Sequence, residues 1–393
     1  MKDKIQIGLV LSTTPGYSET FFNSKINGLQ INGIEVRLYC QGKNDAFALC
    51  PVIMGPKVSR NPLMQGWYFI KEFRMLIPHL STVSRYINLE RKEGSGFLQI
   101  LKKIYLNSHL LKGKLDWLHF GFATMALGSE TVAKAIGAQM AVSFRGFDMA
   151  VYPVKYPGCY NKLWRYVDRV HTISDDLLFL AMKHGLPKTI PVQKITPAID
   201  IALFQPTKQD FTPKAMVVFM TTGRLHWKKG IVQTIEALAI LKKQGIDFRY
   251  KIIGEGPEYE RIAFAAYQLG LNDNVKFLGK LPPSQVKEHL ETAHIYLQYS
   301  IQEGFCNAVL EAQGMGKLCI VSNAEGLPEN VLDGTTGWVV PKNAPNILAK
   351  TIQMVISLPV EEKKIISQNA QKRVKEEFNI EQQQREFFDF YSL

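Results

Sequence analysis

Short apolar runs alternate with helix-period segments along almost the whole of this 393-residue chain, and few architectures accept that order. A strand buried on both faces reads as a short continuous apolar run, and a return to the next parallel strand needs a long crossover, usually a helix. The alternation therefore predicts α/β layers with parallel sheets. In the first half, strands are expected over 5–11, 35–39, 117–120, 141–144 and 169–173, with helices over 21–29, 129–136 and 175–184. In the second half they are expected over 216–221, 250–253, 275–277, 295–298 and 319–321, with helices over 231–243, 258–269 and 308–313. The pattern lapses over 196–206, which Pro197 and Pro206 bracket. A chain this long exceeds one typical core, so two units of similar size are expected, joined there. Residues 44–115 interrupt the first half with Pro62, Pro78, many bases and two aromatic-rich helical patches, 67–77 and 97–111.

Charge separates the halves further. Residues 1–200 hold 25 Lys and Arg against 14 Asp and Glu, a net of +11; the remainder holds 22 against 21, a net of +1. A strongly basic half points to an anionic partner. At 46% hydrophobic and 21% charged residues, the composition excludes a disordered chain. Five cysteines with no Cys-x-x-Cys suggest neither a disulfide framework nor a zinc site, and fit reduced thiols. No apolar run approaches the ~20 residues that span a bilayer, and the N-terminus lacks the apolar segment of a signal peptide. A cytoplasmic protein is expected, one that would lie on the inner face of a membrane if it met one.

Two stretches carry chemistry. Arg224 and Lys229 follow the strand at 216–221 and the turn residue Gly223, and precede the helix expected from about residue 230. Ligands of open α/β sheets sit outside the carboxyl ends of strands, so this loop is correctly placed. A guanidinium grips phosphate oxygens in a bidentate way and an ammonium acts as a point charge, so together they suit a leaving diphosphate. Taken alone, the spacing fits a solvated loop at least as well.

The second stretch runs Glu303-Gly-Phe-Cys-Asn-Ala-Val-Leu-Glu311. A helix starting near Cys306 turns its free N–H groups and dipole toward an anion. Gly304 admits close backbone approach. Glu311 can accept two hydrogen bonds from a vicinal diol such as a ribose, and Glu303 can do the same for hexose hydroxyls. Val309, Leu310 and Ala312 surround Glu311, and a glutamate among apolar residues needs a partner. His119 ends the strand at 117–120, where a base and a satisfied strand-end histidine are equally well explained.

The combined pattern resembles the second-domain signature of GT4-type retaining glycosyltransferases with the GT-B fold. Arg224 and Lys229, then Glu303 and Glu311, match at the family spacing. So do Ile252-Ile-Gly-Glu-Gly-Pro257, Val275-Lys-Phe-Leu-Gly279, Gly326-Leu-Pro-Glu329 and Asp333-Gly-Thr-Thr-Gly337. The first half matches more loosely, through Pro15-Gly-Tyr-Ser-Glu-Thr20 and the 196–206 joint.

The resemblance implies an α/β GT-B fold, two Rossmann-like domains facing each other across a cleft. An acceptor-side domain would cover 1–200, a donor-binding domain 201–378, and a last helix over about 379–393 would cross back to the first. It implies that Arg224 and Lys229 bind the diphosphate and that Glu311 binds the ribose. Glu303, with the N–H groups of Gly304 and Phe305, would contact the transferred sugar, and Cys306 would open the anion-binding helix. Gly254, Glu255 and Leu278 would line the base pocket, and Gly16 would approach the phosphate.

Departures from the family pattern concern the sugar side. Arg145-Gly-Phe-Asp148 stands where many members carry a histidine first, and an arginine is no proton carrier at neutral pH. Arg145 is instead suited to hold the donor phosphate or an acidic acceptor; Asp148, like His119, is an acceptor-side candidate. Glu325 replaces a common glycine before Gly326.

The expected reaction moves a sugar from a UDP- or GDP-linked donor to an acceptor hydroxyl with configuration kept, in the assembly of a surface polysaccharide or glycolipid. No metal and no other cofactor is expected, since the chain has no Asp-x-Asp motif and its cations can take the metal's place. The patches at 67–77 and 97–111 either cover the first sheet or lie on an anionic membrane. Two other classes stay open: an epimerase or phosphorylase on the same fold, and a non-catalytic sugar-nucleotide or carbohydrate binder. A dinucleotide oxidoreductase would need Gly-x-Gly-x-x-Gly after the first strand, where only Gly16 stands. A nucleic-acid binder would not need Glu303 and Glu311, so no nucleic acid is expected as partner.

Overall fold

The computed structural model describes residues 4–16, 20–43, 47–205, 211 and 216–392, without the Thr20 side chain. Tyr17, Ser18 and Glu19 of the first-loop string, and Pro206 of the joint, lie outside the described residues. The chain divides into two compact units, Met1–Ile195 with Gln383–Leu393, and Thr196–Gln382.

The first unit holds seven strands, β1 (Gln6–Val10), β2 (Glu35–Cys40), β3 (Val52–Met54), β4 (Trp117–Phe120), β5 (Gln139–Phe144), β6 (Arg169–Thr172) and β7 (Val192–Lys194). They pair in parallel in the order β3-β2-β1-β4-β5-β6-β7. The second unit holds β8 (Val217–Thr222), β9 (Phe248–Ile253), β10 (Val275–Phe277), β11 (Ile295–Gln298), β12 (Leu318–Ser322) and β13 (Trp338–Val340), parallel in the order β10-β9-β8-β11-β12-β13. Both faces of each sheet are covered. Every residue of β4, β11 and β12 is buried, which is why those runs are apolar without alternation. The second core gathers Phe219, Tyr250, Ile252, Leu297 and Ile320 from the strands against Ile235, Leu238 and Leu348 from the helices.

Strand order reverses between β1 and β4 in one sheet and between β8 and β11 in the other. Such a switch point opens a crevice at the carboxyl ends, because the loops on its two sides lead to helices on opposite faces. In the second unit those loops carry Arg224 and Lys229 on one side and Glu303 on the other. The fold therefore brings together charges 74 residues apart in sequence.

Helices fill residues 62–111, within the segment that interrupts the first half's strand pattern. They run over Pro62–Leu76, Leu80–Lys92, Phe97–Leu106 and Ser108–Leu111. The Asn61 side chain accepts from the N–H groups of Leu63 and Met64 at 3.0 and 3.3 Å, with Pro62 at the first helical position. The helix Ile380–Ser392 lays Phe387, Phe390 and Tyr391 into the first unit, whose Arg169 donates to the Phe390 carbonyl at 2.5 Å.

Candidate functional site

The site is built from loops at the carboxyl ends of β8, β9, β10, β11 and β12. They are tied to one another through the backbone. Gly223 N–H donates to the Ile253 carbonyl at 2.9 Å, Leu225 N–H to Glu255 at 2.9 Å, and Gly254 N–H to Gly279 at 2.8 Å. Ile301 N–H reaches the Lys228 carbonyl at 2.6 Å. Gly230 sits at φ +60 immediately before the helix Ile231–Lys243, and a Cβ there would stand 1.9 Å from the Tyr299 carbonyl oxygen. Only glycine permits this crossing of the β8 and β11 loops, and the crossing delivers Lys229 to Glu303.

Lys229 Nζ forms a short ion pair with Glu303 Oε2, and both side chains are largely enclosed. Ser300 Oγ donates to the same oxygen at 3.2 Å. Burial works against the Lys229 ammonium, but the Glu303 carboxylate more than offsets it and holds the group protonated above the usual lysine range. Arg224 is exposed and makes no ion pair among the described residues. It lies near Lys229: His226 is held below the usual histidine range first by burial, then by the charges of Lys228, Arg224 and Lys229, with Glu258 opposing.

The helix Asn307–Gly314 begins after Cys306, which offers no side-chain cap. The Cys306 N–H and C=O are both taken by the Asn330 side chain, at 3.0 and 3.2 Å. The N–H groups of Gly304, Phe305, Asn307 and Ala308 find no acceptor among the described residues. A run of open donors at a helix start next to an ammonium is an anion site. Burial pushes the Cys306 thiol up to about 12, so it stays neutral there.

One turn further along, the Glu311 side chain has no hydrogen bond or ion pair among the described residues, and burial pushes its carboxyl up to about 7. The Cys306 thiol feels the charges of Lys229, Glu303 and Glu311 together, which places all three around one point. Chemically the arrangement offers two cations and open N–H groups for an anion, one carboxylate without a partner for hydroxyls, and a second carboxylate held on an ammonium. Glu255 is exposed, and Gly254 and Leu278 are half-buried, in the neighbouring loops after β9 and β10.

Residues 206–373, which contain every one of these loops, match the family described as Glycosyl transferases group 1. The colanic acid biosynthesis glycosyltransferase named WcaL, of Escherichia coli, is 31% identical over 272 residues. The segment 206–373 belongs to the glycosyl transferases group 1 family. That family consists of sugar-transferring enzymes. The WcaL match spans 66% of this chain and 66% of that relative, just under two thirds of its length. Among solved structures, a sucrose-phosphate synthase from Thermosynechococcus elongatus superposes with a TM-score of 0.75 at 17% identity, covering 99% of this chain and 98% of that one. Anabaena HepE in complex with UDP and glucose gives 0.73 at 16% identity and 99% coverage of both. At these identities the likeness concerns the fold, which is GT-B with two Rossmann-like units.

In the first unit the candidate residues divide. Gly16 lies in the loop after β1, where an added Cβ would meet nothing within 4 Å. The Arg145 guanidinium lies over the Phe21 ring at 3.8 Å and over Phe22 at 4.8 Å. Two acceptor-side expectations are corrected. His119 is fully buried within the sheet layer, bonded to Ser143 Oγ at 2.7 Å and to Tyr391 of the last helix at 2.5 Å, with Lys25 at 3.4 Å. Burial, then Lys25, His171 and Arg145, keep it below the usual histidine range. It is a satisfied core histidine, out of an acceptor's reach. Asp148 is also fully buried and accepts from the N–H groups of Arg145, Gly146 and Ala123 at 3.0, 2.8 and 3.2 Å. It shapes the turn that Gly146 makes, and touches no accessible surface.

Sequence reasoning missed Ser300, Asn330 and Lys342. Asn330 lies 24 residues from the Cys306 it holds, and Ser300 is three residues before Glu303 with no spacing rule to single it out. The strings around Gly326 and Asp333 were the available pointers to that neighbourhood.

Proposed function

We propose that this chain transfers a sugar from a uridine or guanosine diphosphate sugar to an acceptor hydroxyl, with the anomeric configuration kept and no divalent metal needed. One observation carries the reading: a largely buried Glu311 carboxylate without a partner stands one turn inside a helix whose first N–H groups are open, beside the Lys229–Glu303 pair. A ribose diol supplies the hydrogen bonds that Glu311 lacks. A diphosphate answers the open N–H groups of Asn307 and Ala308, Arg224 and Lys229. Gly254, Glu255 and Leu278 flank the space left for the base.

The sugar would take up Glu303 and the N–H groups of Gly304 and Phe305. As the bond from the anomeric carbon to the diphosphate oxygen breaks, the electron pair leaves with the diphosphate. Arg224, Lys229 and the helix start stabilise that charge in place of a metal ion. The acceptor oxygen bonds to the same face of the sugar. With His119 enclosed, the departing phosphate oxygen is the base on that face for the hydroxyl proton. The names of relatives such as WcaL support an acceptor in surface-polysaccharide assembly.

Release of free nucleoside diphosphate only when acceptor is present would separate a transferase from an epimerase, a phosphorylase or a passive binder. Release without acceptor dependence, or none with any nucleotide sugar, would refute the reading.

The basic unit supports a second element of the proposal, an anionic membrane surface as the place where a lipid-carried acceptor is met. The helix Pro62–Leu76 stacks Phe69 on Tyr105 at 4.8 Å and turns Leu63, Trp67, Ile70 and Arg74 outward. Leu63, Trp67 and Ile70 here, and Phe97 and Leu98 at the start of the helix Phe97–Leu106, are each at least 66% exposed. Arg60, Lys71 and Lys102 are exposed on the same helices or just before them, and Arg91 and Lys92 are exposed at the end of the helix Leu80–Lys92. Apolar anchors among cations suit a headgroup interface. Among the described residues no helix is long and apolar enough to cross a membrane. Flotation with vesicles containing phosphatidylglycerol, lost in Trp67→Asp or without the anionic lipid, is the expected outcome. No binding at low salt would remove this element.

A further inference from the structure

Glu325 stands at φ +31, one of two non-glycine positive φ values among the described residues. Its side chain has specific partners. Oε2 accepts the backbone N–H of Glu303 at 2.8 Å, and Oε1 pairs with Lys342 Nζ at 3.1 Å. The same Lys342 ammonium donates to the Ile301 carbonyl at 3.1 Å. The next residue completes the grip, since Gly326 N–H donates to the Glu303 carbonyl at 3.0 Å. A Cβ on Gly326 would lie 1.9 Å from the Gly304 carbonyl oxygen, so the two loops touch backbone to backbone. Glu303 is thus held at both its N–H and its C=O by two consecutive residues of the loop after β12.

The carboxylate end of Glu303 is meanwhile on Lys229 and Ser300. Along the run from 303 to 308, the Glu303 N–H is taken by Glu325, while Gly304, Phe305, Asn307 and Ala308 keep theirs open. A left-handed backbone is unfavourable for a side-chain-bearing residue, and such conformations persist where the surroundings over-determine them.

Resting on the reading of Glu303 as the sugar-contacting carboxylate, we infer that Glu325, braced by Lys342, is a positioning residue that clamps the Glu303 loop so that its carboxylate and the following N–H groups meet the transferred sugar. The clamp holds the loop through the Glu303 backbone and leaves the diphosphate and ribose contacts alone. It belongs to the rate of sugar transfer and not to nucleotide affinity.

The experiment compares wild type with Glu325→Gly, Glu325→Gln and Lys342→Met. Glycine tolerates the φ of residue 325, so Glu325→Gly removes the carboxylate without adding strain. Hydrogen exchange of the free protein, read on a peptide covering 301–306, should quicken roughly tenfold in Glu325→Gly, the value of one hydrogen bond. Turnover of UDP-glucose, UDP-galactose, UDP-N-acetylglucosamine and GDP-mannose is then followed. For whichever donor wild type uses, kcat should fall on the order of 10²-fold, as for a misplaced contact, with KM and the Kd of UDP or GDP within about twofold. Glu325→Gln keeps an amide oxygen for the Glu303 N–H and should recover most of the rate. Lys342→Met should fall between the two.

Unchanged exchange, or an unchanged kcat in Glu325→Gly, overturns the clamp, even with a lowered Tm. If wild type itself binds neither UDP nor GDP, the reading of the site fails instead. Exchange on the free protein still decides whether Glu325 holds the loop.

Discussion

Replacing Glu311 by glutamine should stabilise this protein while weakening its hold on a nucleotide sugar. The carboxyl is pushed up by burial from 4.5 to about 7, and no hydrogen bond or ion pair among the described residues offsets that cost. The folded state therefore binds a proton that the unfolded chain has released between pH 4.5 and about 7. Stability from this group falls as pH rises through that window, because the native state is the one that holds the proton. A shift of about 2.5 units corresponds to about 3 kcal/mol at pH 8, as an order of magnitude.

Glutamine is isosteric and uncharged. Urea denaturation should find Glu311→Gln equal to wild type near pH 4 and more stable by about 2–3 kcal/mol at pH 8. Binding should move the other way. Affinity of wild type for the correct nucleotide sugar, whose diphosphate does not titrate in this range, should rise from pH 6 to pH 8, and the rise should be absent in Glu311→Gln. A variant that is more stable yet binds poorly marks a group kept for its ligand. A variant less stable at pH 8, or one that binds with unaltered affinity, would refute the reasoning.

Three further outcomes are expected. Lys229→Ala should lower donor turnover by ~10²–10³-fold, and Glu303→Ala should be comparably impaired; near wild-type rates in either would contradict the assignment. Gly230→Ala drives a Cβ to 1.9 Å from the Tyr299 carbonyl oxygen at a left-handed φ, so it should cost several kcal/mol in thermal or urea unfolding, and unchanged stability would mean that the loops do not cross as described. Burial raises the pKa of the fully enclosed Glu90, but hydrogen bonds from Lys103, Lys162, Thr131 and Ser95 outweigh it and bring the group to about 2. Its contribution of about 3 kcal/mol should be present above pH 4.5 and fade as pH falls toward 2, so the deficit of Glu90→Gln in urea unfolding should be full at pH 7 and shrink with acid.

The donor-side loops were legible because glycines and charges punctuate strands that are apolar throughout. The strand at 295–298 and the helix Ile231–Lys243 lie where the pattern puts them, and the Glu303 to Glu311 spacing needs only a short loop and one helical turn. The edge strands β3, β7 and β13, three residues each, escaped, whereas the equally short β10 was found. His119 in a strand and Asp148 in the turn after one misled because a polar residue looks the same in sequence whether it faces solvent or a buried partner. Their partners, Tyr391 for one and the N–H of Ala123 for the other, are 272 and 25 residues away. Glu325 showed only as a departure from glycine; its positive φ and its grip on Glu303 are tertiary facts.

A crystal structure with the bound nucleoside diphosphate tests the central claim most directly. The account predicts phosphate oxygens on Arg224, Lys229 and the N–H groups that open the helix Asn307–Gly314, with both ribose hydroxyls on Glu311. A nucleotide seated elsewhere, or a Glu311 carboxylate that remains empty with UDP or GDP bound, would contradict it.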